Sequence, residues 1–160
     1  MLRFYPFALC IIFLFAGCTQ KKAKTTSASF EAVKDSISLL VNNTAKNITA
    51  KGPIGWLDEF ENSPDFYMVN DGAIAFKDYP TAEKFVRDTL SKKLQRIELK
   101  FSNMRITPLG PESGNIGAEF NEVLVFSQNT ALPFNGYFTA TAHHSTEGWK
   151  LLNLHWSRKK

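Results

Sequence analysis

The chain closes on "GYFTATAHHSTEGWKLLNLHWS", Gly136 to Ser157, and this stretch decides the fold. Two runs rich in aromatic, β-branched and Leu residues flank "STEG", a polar tetrapeptide ending in Gly. That is the pattern of two antiparallel strands joined by a turn. The second strand has two unlike alternate sides. Leu152, Leu154 and Trp156 form one; Leu151, Asn153, His155 and Ser157 form the other. A mixed side of this kind fits a solvent-exposed sheet surface, a dimer contact or a pocket. The reading adopted is a pocket: Asn153 and His155 point inward and Leu152, Leu154 and Trp156 pack on the opposite face under a partner.

Upstream, the sheet pattern continues. Ile116, Ala118, Phe120, Leu124 and Phe126 share one parity, and Glu122 falls among them. Ile97, Leu99 and Phe101 alternate, then the phase slips to Met104 and Ile106, which predicts a bulge near Ser102-Asn103. "GPESGN" reads as a turn and "SQNTALPFNG" as a loop. Before the strands come helical signals. Phe30, Val33, Ile37, Leu40, Val41, Thr44 and Ile48 follow 3–4 spacing, with Ser29 as a cap and Gly52-Pro53 as a stop, predicting a helix over about 29–50. Residues 53–60 predict a short helix opened by Pro53, and 81–94 a third helix. Asp71-Gly72 between apolar runs predicts a hairpin. The fold class is therefore α+β, in one domain.

The first residues are of another kind. Arg3 precedes the apolar run Phe4 to Gly17, which is shorter than the 20 or so residues needed to span a bilayer. It predicts a signal peptide over 1–17. "FAGC" resembles a bacterial lipobox, with Phe15 where Leu is more usual, and implies that Cys18 becomes a lipidated N-terminus. The polar stretch through residue 28 is then a tether, and 29–160 the folded domain. The chain has two cysteines, Cys10 and Cys18. Loss of the signal and lipidation of Cys18 would leave no free thiol. The expected location is a bacterial membrane, the outer one facing the periplasm, reached through the lipid anchor only.

Composition excludes several classes. The charge is +4, with 21% charged residues scattered through the body. That favours solubility over nucleic-acid binding. Three histidines without His-x-x-x-His spacing give no metal site, and there is no P-loop, dinucleotide fingerprint or Gly-x-Ser-x-Gly, so no cofactor is expected.

The order helix, helix, hairpin, helix, long strands resembles the nuclear transport factor 2-like superfamily, and within it the SnoaL-like group. The residues carrying the resemblance are "NDG" ahead of a helix and the closing "GYFTATAHHSTEGWKLLNLHWS", with His155 two before Ser157. The resemblance implies a curved antiparallel sheet wrapped as a cone around a long N-terminal helix, with a pocket at the open end and a homodimer through the outer sheet face. It implies no single activity. The isomerase pattern needs a Tyr on the first helix, which this chain lacks. The dehydratase pattern needs a His pair with an Asp, and adjacent His143 and His144 point to opposite faces. Binding of a small apolar or amphipathic ligand is therefore expected rather than catalysis. Trp56, Phe120, Glu122, Asn153 and His155 are the candidate ligand-binding residues. The alternatives are an isomerase, dehydratase or cyclase using Glu122 and His155, and a non-catalytic dimerisation module. Glu122 is the most informative acid, since a carboxylate on an apolar face must be paired or have a raised pKa.

Overall fold

A computed structural model describes residues 27–128 and 130–159. The signal segment 1–17, Cys18 and most of the tether lie outside the described residues. The architecture is the α+β cone expected from the sequence. Helix α1 (Ser27–Lys51) lies against a six-stranded sheet with strand order β2-β1-β6-β5-β4-β3. The strands are β1 (Tyr67–Asn70), β2 (Ala73–Phe76), β3 (Leu94–Gly110), β4 (Ser113–Phe126), β5 (Ala131–Ser145) and β6 (Gly148–Arg158). All neighbours are antiparallel except β1 and β6, which run parallel.

Helix α1 buries the stripe its spacing predicts: Val33, Ile37, Leu40, Val41, Thr44 and Ile48 are all buried. Each large apolar member contributes about 1.5–3 kcal/mol. The Thr44 hydroxyl is satisfied locally by donating to the Leu40 carbonyl at 2.9 Å. The helix crosses β4 at Gly114, where an added Cβ would sit 2.6 Å from Ile37 Cδ1. A side chain there would push the end of Ile37 aside and press on the Thr107 carbonyl oxygen at 3.2 Å. At its far end α1 guards the sheet edge: Thr49 Oγ1 accepts from the Leu99 amide at 3.3 Å, occupying a β3 donor that would otherwise be open to a foreign strand.

The second helix expected over 53–60 is a 3-10 turn, Gly52–Trp56. The chain then bends, and Phe60 bridges to Leu151 on β6. The hairpin turn is Asp71-Gly72, both with positive φ (49° and 84°), as a two-residue turn matched to strand twist requires. The third helix starts earlier than 81. Asp78 caps helix α2 (Tyr79–Phe85) by accepting from the Thr81 amide at 2.8 Å. It continues as a π-turn (Val86–Leu90) and a last turn, α3 (Ser91–Lys93). Ser91 Oγ donates to the Val86 carbonyl at 2.7 Å, closing the widened turn.

The phase slip in β3 is a bulge. Register shifts between Ser102 and Arg105, and Asn103 has φ 50°. The loop expected over 127–136 is shorter, because β5 already begins at Ala131. Pro133 is tolerated there since β6 pairs β5 only from Gly136 onward, leaving the strand's far side unpaired at that point.

Candidate functional site

The inner face of the sheet and the 3-10 turn bring an aromatic cluster together. Trp56 and Trp156 stack with centroids 5.7 Å apart and planes 3° apart. Phe120 meets Trp156 edge-on at 4.9 Å, and Phe138 and Phe101 lie 4.6 and 5.8 Å from it. Both indoles are buried, and neither Nε1 has a hydrogen-bond partner among the described residues. Buried N–H donors are rarely left without a partner.

Glu122 stands two residues beyond Phe120 on the same face of β4, opposite Leu99 on β3 and Phe134 on β5. The unbroken register from Ser113 to Val125 keeps it inward. Its Oε1 is buried without a hydrogen-bond partner. Burial pushes its pKa up to about 7, against a smaller downward pull from the Arg158 guanidinium. Arg158 is itself engaged. Its backbone N–H donates to Asp71 at 2.8 Å, its guanidinium pairs with the same carboxylate, and it lies 5.1 Å over the Phe134 ring. Near neutral pH the Glu122 carboxyl thus presents either a donor or an acceptor, beside a cation already paired with Asp71 and at a groove it shares with Thr49, Arg96, Lys100 and Phe134.

Of the residues picked from the sequence, Trp56 and Phe120 both meet Trp156 in the interior, and Glu122 follows Phe120 on the same face of β4. Asn153 and His155 do not join them. His155 is exposed on the outer face, opposite Thr139, and Asn153 lies on the same side, its amide donating to the Asp65 carbonyl at 3.0 Å. They line an open groove of about 480 Å³ with Tyr67, Val69, Thr139 and Thr141. The inward expectation for His155 is therefore corrected. Leu154 and Trp156 take the core face, because burying a Leu and a Trp stabilises far more than burying an Asn and a His. Nor do Leu152, Leu154 and Trp156 form one row under a partner. A register shift pairs Thr141 with Asn153 but Ala142 with Leu151, leaving Leu152 as the extra residue and turning Leu151 inward. With Glu122 inside and His155 outside, the two cannot act on one substrate.

The sequence reading missed the inward placement of Trp156 and the Asp71–Arg158 pair. Asp71 looked fully explained by its turn; nothing local connects it to a residue 87 positions away. His143 also finds a partner, with Nδ1 3.0 Å from the Glu61 carboxylate. No three His, Cys, Asp or Glu gather into a metal-binding group among the described residues.

No protein-family model matches the sequence, and comparison with curated proteins finds no match. Solved structures do match. A nuclear transport factor 2-like superfamily protein from Salmonella enterica superposes with a TM-score of 0.69 at 18% identity, covering 81% of this chain and 93% of that one. The hexachlorocyclohexane dehydrochlorinase LinA-type3 from Novosphingobium barchaimii gives 0.67 at 12% identity, covering 84% and 92%. An uncharacterised Caulobacter vibrioides protein with a cystatin-like fold gives 0.61 at 14%, covering 79% and 89%. The chain has the nuclear transport factor 2-like cone fold. At these identities the likeness establishes fold, and chemistry must be argued from the residues.

Proposed function

We propose that the domain binds a small apolar or amphipathic molecule inside its cone, at the wall formed by Trp56, Trp156, Phe120 and Glu122. One observation carries this reading. Three buried polar atoms, the two indole Nε1 groups and Glu122 Oε1, have no hydrogen-bond partner among the described residues. Each costs about 1–3 kcal/mol while unpaired. Apolar walls with a few convergent polar groups are the usual make-up of a small-molecule site. Catalysis through a Glu122–His155 pair is set aside, since the sheet separates them. The protein is proposed to act as a lipoprotein anchored through Cys18 and facing the periplasm. The outer sheet face, with Tyr67 and Tyr137 exposed, is proposed to pair two copies.

Native mass spectrometry of the purified protein tests the binding reading. A co-purifying molecule lost in Trp156→Ala and Glu122→Gln variants is expected. A bare mass for wild type, with no saturable tryptophan fluorescence change on titration with small amphiphiles, would overturn it.

A further inference from the structure

The outer face of the sheet carries two opposite charges that the fold brings close and leaves unpaired. Strict alternation from Leu99 and Phe101 would turn Arg105 inward. The bulge at Ser102-Asn103 shifts the parity, so Met104 and Ile106 pack toward the core and Arg105 stands exposed on the outer face, opposite Gly117. Glu119 lies two residues beyond Gly117 on the same face, opposite Tyr137 on β5. Arg105, Gly117, Glu119, Tyr137 and Thr139 line one groove of about 370 Å³. A Cβ added to Gly117 would meet nothing within 4 Å, so the floor of the groove is open. Among the described residues, no ion pair or side-chain hydrogen bond occupies Arg105 or Glu119. Other charges are engaged: Arg96 pairs with Glu98 at 3.0 Å, Arg158 pairs with Asp71, and Lys159 lies 5.0 Å over the Tyr137 ring. Lys100 stands opposite Asn121, outside this groove.

We infer that two copies of this chain pair face to face across this groove, with Arg105 of each on the partner's Glu119. This rests on the pairing of two copies proposed above and supplies its centre and its specificity. The argument is charge complementarity under symmetry. A two-fold interface presents one patch to itself. A patch of a single sign would repel its own copy. A patch with one cation beside one anion satisfies both, in two identical ion pairs. A nucleic acid would be repelled by Glu119, and a peptide of one sign would satisfy only one of the two groups. Arginine suits the role, because its planar fork takes a carboxylate through two hydrogen bonds. Tyr137, 53% exposed and next to Glu119, adds an aromatic ring of the kind enriched in interfaces. The open floor at Gly117 leaves room for a side chain of the second copy.

Light scattering over a concentration series of the purified full chain reads the pairing, and circular dichroism checks the fold of each variant. Wild type is expected to dimerise. Arg105→Glu and Glu119→Arg should each weaken self-association roughly tenfold or more, since each sets like charges face to face twice. Mixed one to one, the two variants should recover pairing as a heterodimer, because two acids of one then meet two arginines of the other. The double variant R105E/E119R should pair as wild type does. Lys100→Glu, an equal change of charge outside the groove, should leave the association as it is. If wild type stays monomeric at high micromolar concentration, the ion pairs and the pairing of copies both fail. If wild type dimerises and either single variant does so equally well, or the folded variants stay apart when mixed, the Arg105–Glu119 inference fails while the pairing of copies stands. An equal loss in Lys100→Glu would also overturn it, assigning the effect to net charge.

Discussion

Trp56, from the turn after the first helix, lies flat against Trp156, from the last strand, with ring planes 3° apart. One hundred residues of chain separate them, so this stack ties the two ends of the domain together. Trp156 also touches Phe101, Phe120 and Phe138. Trp156→Ala is expected to destabilise the fold by about 3–5 kcal/mol, the range for a buried Trp or Phe truncation. Urea unfolding measures it; a loss below about 1 kcal/mol would mean the cluster is not the core.

Glu122 should shape the pH profile of stability. Its pKa rises from 4.5 in the ordinary case to about 7 when folded, so the folded state holds a proton the unfolded chain has released. The stabilisation from that proton is fully present below about pH 4.5 and lost as pH rises through 7. The span amounts to about 3 kcal/mol. Glu122→Gln is expected to remove this slope, so the wild-type minus variant difference grows from pH 5 to pH 8. Parallel profiles would contradict the buried placement of the carboxyl.

Asp71 acts with the opposite sign. Hydrogen bonds from the Arg158 backbone and side chain lower its pKa. Its contribution is present above the ordinary value of 3.8 and disappears as pH falls through the lowered folded value. Asp71→Asn keeps a residue suited to the turn while removing the charge. Thermal melts should show the variant weaker at pH 7 and converging with wild type toward pH 3. An unchanged gap at both pH values would assign the effect to turn geometry instead.

Gly136 has no room for a side chain. An added Cβ would collide with the Ser157 carbonyl oxygen and lie 2.9 Å from Phe120 Cε1. Gly136→Ala is expected to cost about 1–3 kcal/mol through overpacking, read by chemical denaturation. A neutral result would show that β5 and β6 separate more easily than their pairing implies.

His155→Ala should leave monomer stability within about 0.5 kcal/mol, as for most exposed positions, and leave amphiphile binding intact. Light scattering on the same variant reports on the outer face: weaker self-association would support pairing through it. A loss of ligand binding would return His155 to the site and refute the facing described here.

The sequence made the α+β order legible because each element carries its own period. The α1 stripe, the Asp71-Gly72 turn and the slip at Ser102-Asn103 all appear where periodicity placed them. The site was half legible. Glu122 could be placed because β4 runs through it without interruption, so parity reached it intact. His155 was misplaced because a one-residue bulge at Leu152 breaks parity within the last strand, and Leu151 and Leu154 then both face inward. No composition signal marks that residue as the extra one. The mixed polar side also looked like a pocket, when the simpler partition of Leu and Trp inward decides the orientation. The helix after the hairpin was misjudged at its start, because Asp78, the true cap, was passed over for later periodic residues.

The parallel pairing of β1 with β6 has a consequence in time. Tyr67 must wait for Asn153, and Phe60 for Leu151, so β1, paired locally with β2, gains its second neighbour only when the last strand is made. Long loops closed late slow folding. The β1–β6 seam is therefore closed only once the whole domain has been made. Pulse-labelled hydrogen exchange should accordingly show the amides of β3 to β5 protected before those of β1, with β1 and β6 gaining protection together.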